Sequence, residues 1–183
     1  MVCGRFFLCP LLRVFYFQVM KPSLLSRLSA QPDALDHLLS GLSDEQLHQR
    51  PQPSTWSIAE NLAHLGRYQE VFLERMQRIT TQDEPRFERY AADADPGFLP
   101  WTELPFDALL ERFRGERAAL NAFLSILHEE HLTRTGLHPA YGPMTLEGWT
   151  EFFLLHEAHH FFTILKLGGA LRTAGQPMGL YSF

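Results

Sequence analysis

The stretch WTEFFLLHEAHHFFTILKL, Trp149 to Leu167, decides how the chain folds. Trp149, Phe153, His156, His160, Thr163 and Leu167 recur at steps of 4, 3, 4, 3 and 4. That recurrence lines one face of an amphipathic helix. Two of its six inward positions are histidines. Residues at i and i+4 lie one turn apart, with Cβ atoms about 6 Å from each other. Two imidazoles so placed reach one metal ion, provided another element supplies a third ligand. The competing reading is a pair of hydrogen-bonded core histidines. Each neutral imidazole carries one donor and one acceptor, and leaving either unpaired in a dry core costs about 1–3 kcal/mol. A metal satisfies one nitrogen of each ring, and the other can find a partner behind it. His159 makes His156/His159 a second geometrically allowed pair. His156 and His160 sit nearer the stripe centre and are preferred, with His159 as a supporting or helix–helix contact.

Working outward, Thr145 suits the N-cap of this helix and Glu147 its first turn, while Gly168-Gly169 is a natural stop. Beyond it, Met178, Leu180, Tyr181 and Phe183 form a tail expected to fold back on the body. On the other side, Gly136 to Pro143 reads as a turn-rich loop. Before the loop, Phe106, Leu109, Leu110, Phe113, Leu120, Phe123, Leu124 and Leu127 mark a third helix ending near His131. Residues 81–105, with Pro85, Pro96, Pro100 and Pro105, read as an irregular crossover. So long a connection makes sense if it runs the length of a bundle and leaves the flanking helices parallel. The second helix carries Ile58, Leu62, Leu65, Phe72, Met76 and Ile79 and runs to about Thr80, opened by a Ser57/Glu60 capping box. His64 lies on it, at the flank of the stripe. The first helix, from Leu24 to Leu39, is interrupted at Gln31-Pro32 and ended by Gly41. Ser43 to Gln46 is a second capping box, for one short turn. No stretch reads as a β-strand. The expected fold class is all-α: a four-helix bundle with a long crossover between helices 2 and 3.

Composition agrees. A chain of 183 residues, 45% hydrophobic and 20% charged, suits one globular domain. A net charge of −5 and no run of like charges argue against a nucleic-acid partner. Residues 1–19, apolar but broken by Pro10 and Arg13, offer neither a membrane span nor a clean signal peptide. They read as a poorly ordered extension, consistent with a mis-assigned start codon, ahead of a bundle domain at 20–183; the alternative is a weak membrane or export segment. A cytoplasmic location and no membrane partner are expected. Both cysteines, Cys3 and Cys9, fall in this extension, which excludes a disulfide framework, cysteine-rich zinc sites and a cysteine nucleophile in the main body. Histidines remain. His128-Glu129-Glu130-His131 is ligand-rich but closes a helix, where its charges suit the helix dipole. His37, His48 and His138 are read as surface residues.

Two further stretches point to a family. Trp56-Ser57-Ile58-Ala59-Glu60-Asn61-Leu62-Ala63-His64-Leu65 resembles the second-helix signature of the DinB/YfiT-like superfamily, and His156-Glu157-Ala158-His159-His160 resembles its H-x-x-x-H signature. Gly142 to Trp149 resembles the lead-in to that helix. The resemblance covers residues 22–171, and the order and spacing of the motifs are more specific than any one of them. It implies an up-down-down-up bundle with His64, His156 and His160 as metal ligands. It also implies zinc, nickel or another divalent ion, and, for some members, a transferase or isomerase activity that uses a low-molecular-weight thiol.

Three histidines without a fourth protein ligand describe an open site of the catalytic kind. Imidazole ligation does not choose among the metals. Two chemistries fit a small-molecule substrate. A thiol with its pKa lowered by the metal attacks an electrophile, or an activated water hydrolyses a bond. Hydrolysis needs a base, for which Glu60, one turn before His64, is a weak candidate whose capping role is the simpler reading. Glu157, about 100° round the helix from His156, is expected to be solvated or to stand behind the ligands. The missing base favours thiol transfer. A third reading is a non-catalytic metal-binding bundle. Trp149, Phe152, Phe153, Phe161 and Phe162 cover more than one face, which suggests burial within the bundle or in a homodimer.

Overall fold

The structure is a computed structural model and describes residues 20–174. The expectations for residues 1–19 and for the tail from Met178 lie outside the described residues. Helix α1 (Pro22–Ala30) passes through a single 3-10 turn at Gln31–Asp33 into α2 (Ala34–Leu39), so the break expected at Pro32 is a tightened turn within one rod. Gly41, at φ +74°, ends the rod. The short α3 (Asp44–His48) begins in the expected capping box, with Ser43 Oγ accepting from Gln46 N. Helix α4 (Ile58–Thr81) begins in the second one, Ser57 with Glu60.

The crossover is not featureless. It contains a 3-10 turn at Ala92–Ala94 and the one-turn helix α5 (Leu99–Thr102), which buries Trp101 against α4. Gly66 of α4 lies under the Trp101 ring, leaving no room there for a Cβ. Arg67 clamps the crossover from the side, its Nε donating to Asp95 at 2.6 Å.

Helix α6 (Phe106–Ser125) stops six residues short of the expected His131. The chain turns at Ile126 to bury Leu127 while leaving Ile126 exposed, then forms a separate turn, α7 (Glu129–Leu132). The turn-rich segment is a hairpin and not the expected loop: β1 (Thr135–His138) pairs antiparallel with β2 (Gly142–Thr145), Leu137 facing Pro143. A three-residue loop closed by a glycine at positive φ is a common hairpin connection, and Gly142 supplies it at +71°. Helix α8 (Leu146–Ala174) runs on past Gly168-Gly169. Each glycine costs a helix about 1 kcal/mol. Contacts to α2 offset that cost: Arg172 Nη2 donates to the carbonyls of Leu38 and Ser40 at 2.7 and 2.8 Å.

Two apolar cores reveal the topology. One joins Leu24 and Leu28 of α1, Phe72 to Ile79 of α4, Leu120 and Leu124 of α6, and Trp149 to Leu154 of α8. The other joins Leu35 and Leu38 of α2, Ile58 to Leu65 of α4, Phe106 to Phe113 of α6, and Phe161 and Ile164 of α8. Helices α4 and α6 therefore run from the second core to the first, while the α1–α2 rod and α8 run the other way. The bundle is up-down-down-up, as expected. No helix among the described residues is long and apolar enough to cross a membrane.

Candidate metal centre

Where the two cores meet, α4 and α8 bring His64, His156 and His160 together. One ring nitrogen from each lies within 4.8 Å of the others. His64 is buried and the other two are half-buried. The Nε2 atoms of His64 and His156 are 3.1 Å apart. Two nitrogens bound at about 2.0–2.1 Å to one tetrahedral ion are separated by about 3.3 Å, so this edge already has nearly the right length.

His160 is oriented from behind. Asn61 Nδ2 donates to the Ser57 carbonyl at 2.8 Å, which turns Asn61 Oδ1 toward His160 Nδ1, 2.9 Å away. Nδ1 must then carry the proton, leaving the Nε2 lone pair free to ligate. The Nδ1 atoms of His64 and His156 are buried without a hydrogen-bond partner among the described residues. An ion between the facing Nε2 atoms would leave those Nδ1 groups as they are, so it is the convergence of the three rings, not this deficit, that fits a cation. Burial, then the charges His160 and His156 would carry, holds His64 down to about 3. Burial, then His160 and His159, holds His156 down to about 3. Burial, then His159, holds His160 down to about 4. All three are neutral near pH 7, the form that binds metal.

Aromatic rings enclose the cluster. Trp56 lies 5.0 Å from the His64 ring and 6.3 Å from His160, and Phe98 from the crossover packs on Trp56. Tyr68 is 4.5 Å from His156, and Tyr90 is 5.7 Å from His64. On the tyrosine side a cleft of about 540 Å³ reaches His64 and His156. The hairpin contributes His138 and Tyr141 to its lining, and α4 contributes Arg75. His138, expected at the surface, is half-buried against Trp149 and Phe152 because the hairpin folds over α8. Burial, then Arg75, lowers its pKa.

The remaining candidates lie as follows. Glu60 completes the Ser57 cap and pairs with Arg50, whose Nε donates to Oε2 at 2.9 Å. Glu157 is not solvated. It is fully buried and pairs with Arg117 of α6, with Gln31 Nε2 donating to its second oxygen at 2.7 Å. Burial pushes its carboxyl up against the pull of Arg117. Arg117 Nε also donates to Gln69 Oε1 at 2.6 Å. His159 is exposed on the outer face of α8, and His128, Glu129 and Glu130 are exposed far along the chain from the cluster. Asn61 and Arg117 are supporting residues that the sequence does not single out. Asn61 falls in the second-helix signature, where its spacing of three from His64 is the one signal. For Arg117, only its place on the inward stripe of α6 hinted at a buried partner.

Known proteins share this arrangement of helices. Residues 27–164 match the family model of the DinB superfamily. The uncharacterized protein YuaE of Bacillus subtilis (strain 168) is 30% identical over 135 residues, which are 67% of this chain and 83% of YuaE. The structure of YfiT from Bacillus subtilis, described as a probable metal-dependent hydrolase with an unusual four-helix bundle topology, superposes with a TM-score of 0.66 at 20% identity, over 85% of this chain and 87% of YfiT. The DinB-like protein YjoA of the same organism superposes at 0.54 and 16% identity, over 87% of this chain and 96% of its own. The two structural likenesses speak for the fold, and the family match and YuaE speak for descent: the chain belongs to the DinB superfamily.

Proposed function

We propose that His64, His156 and His160 hold one divalent ion, with zinc or nickel the expected metals, and that the protein transfers a low-molecular-weight thiol to a small electrophilic substrate in the adjoining cleft. The observation that carries the reading is the convergence of three neutral imidazoles, two of which line that cleft and the third of which, His160, is fixed from behind by Asn61. A bound divalent ion lowers the pKa of a thiol or water held beside it. The chain's part is to keep the rings neutral and oriented, to cover them with Trp56 and Phe98, and to admit small molecules past Tyr68 and Tyr90. The thiol must come from outside, since the main body has no cysteine. Glu60 and Glu157 are both committed to arginines, which leaves neither to draw a proton from water.

Hydrolysis is the second reading. Glu88 lines the same cleft and forms no ion pair among the described residues, which supports it as a candidate base. YfiT, one structural neighbour, is described as a probable metal-dependent hydrolase.

Elemental analysis of untagged protein tests the centre. About one divalent ion per chain is expected in the wild type, lost in His64→Ala, His156→Ala and His160→Ala and kept in His159→Ala and His131→Ala. A wild type that takes up neither zinc nor nickel overturns the proposal. Metal-loaded protein that consumes an electrophile only when a thiol is added supports transfer; turnover without thiol that falls in Glu88→Gln supports hydrolysis. Leu155, Phe162 and Leu165 stand exposed along α8, which supports the expected homodimer. Sedimentation is expected to show Phe162→Glu as monomer with its metal content unchanged; a wild type that sediments as monomer removes the dimer.

A further inference from the structure

Besides the histidine cluster, three arginine or carboxylate side chains are buried among the described residues: Arg75, Arg117 and Glu157. The last two pair with each other. Arg75 is only 8% exposed and pairs with no carboxylate among the described residues. Its Cζ lies 5.9 Å from the Tyr68 ring, 5.4 Å from Phe87 and 5.7 Å from Trp149, and Nη2 donates to the Glu88 carbonyl at 2.8 Å. Ring faces and one carbonyl soften a buried charge; they do not cancel it. An arginine stays protonated in a protein, so the charge cannot be shed.

The place of that charge gives it a use. Arg75 follows His64 on α4, and side chains on a helix lean toward its N-terminus, the side on which His64 lies. Arg75 lines the cleft that His64 and His156 also line, and the Tyr68 ring stands between, 6.1 Å from the His64 ring. Glu88 also lines the cleft but forms no ion pair with the guanidinium, and exposed Arg89 adds a second positive residue to the lining. A guanidinium has five N–H donors, and the Glu88 carbonyl takes one. Two more, side by side, match the two oxygens of a carboxylate.

We infer that Arg75 is the anion-recognition group of this cleft, and that the small molecule handled beside the histidines carries a carboxylate. The inference rests on reading the cleft as the substrate site and narrows that reading to a class of substrate. A purely structural Arg75, tying the crossover to α4 through Glu88, predicts no response to an added anion.

The test is an NMR titration of full-length, ¹⁵N-labelled protein with sodium butyrate, against neutral butyramide at constant ionic strength, following assigned arginine Nε–Hε signals. The Arg75 signal is expected to shift saturably with butyrate and not with butyramide. Arg75→Lys, which keeps the charge and loses the fork, is expected to weaken butyrate binding at least tenfold, read on the amides of Tyr68 and Tyr90. Arg89→Ala is expected to change it less than twofold. Equal response to both probes, no saturation in the wild type, or wild-type affinity in Arg75→Lys overturns the assignment. Should Arg75→Lys unfold, the wild-type Arg75 signal decides by itself. Metal content measured on the same samples separates the two proposals: butyrate uptake by a wild type that binds no metal sinks the three-histidine centre and leaves Arg75 standing, and metal without butyrate uptake does the reverse.

Discussion

Asn61 decides which nitrogen of His160 carries the proton. Its own amide is fixed by the Ser57 carbonyl, so the helix cap and the histidine are joined through one side chain. Residues behind metal ligands typically contribute 10–100-fold to affinity, and Asn61→Ala is expected to weaken zinc binding by about that factor in a chelator competition. The buried pair Arg117–Glu157 belongs to the same scale. Removing one partner strands a charge, at about 3–5 kcal/mol, while replacing both with apolar residues is often neutral. Urea unfolding should therefore show Glu157→Leu far less stable than the wild type, and Arg117→Met with Glu157→Leu close to it. His156 and His160 were legible because their period marks a buried face. Asn61, Arg75 and Arg117 were not, because each acquires its meaning from a partner on another segment that no local pattern specifies.

Elements were legible in proportion to their length. The long helices announce themselves by period and caps, and both capping boxes formed as read. The hairpin did not, since its four-residue strands include Gly136, Gly142 and Pro143, residues that ordinarily mark a loop. The end of α8 was misplaced because Arg172 holds two glycines in helix through tertiary contacts. Two predictions concern the crossover. Gly66→Ala improves helix propensity by about 1 kcal/mol but drives a methyl into the Trp101 ring. Overpacking of that kind costs about 1–3 kcal/mol, so a lower melting temperature is expected by calorimetry. Asp95 has its pKa lowered, first by the hydrogen bond from Arg67. A carboxyl with a depressed folded pKa adds stability above its unfolded value, near pH 4, and loses it as pH falls through the folded value. The stability gap between wild type and Asp95→Asn should be constant above about pH 4 and close below it, in urea titrations run from pH 6 to pH 3.

At the scale of the molecule, the topology was legible because the proline-rich segment 81–105 is long enough to carry the chain back to the end where α4 began. Phe161 and Phe162 show how one helix serves two surfaces: the first is buried in the second core and the second is 58% exposed. Phe161→Ala is expected to cost about 3 kcal/mol or more by urea unfolding, and Phe162→Ala little. Between the two cores every long helix changes character at one level. Gln31 of the kinked rod, Gln69 of α4, Arg117 of α6 and Glu157 of α8 are hydrogen-bonded there into a single band, with the histidines beside it. A protein divided by such a band has two centres of cohesion. Native-state hydrogen exchange should resolve two groups of slow amides with separate opening energies, residues 58–65 with 106–113 and residues 72–79 with 120–124. Occupancy of the histidine centre, which lies on the seam, should raise both and draw them together, so that the ligand sets how far this chain melts as one body.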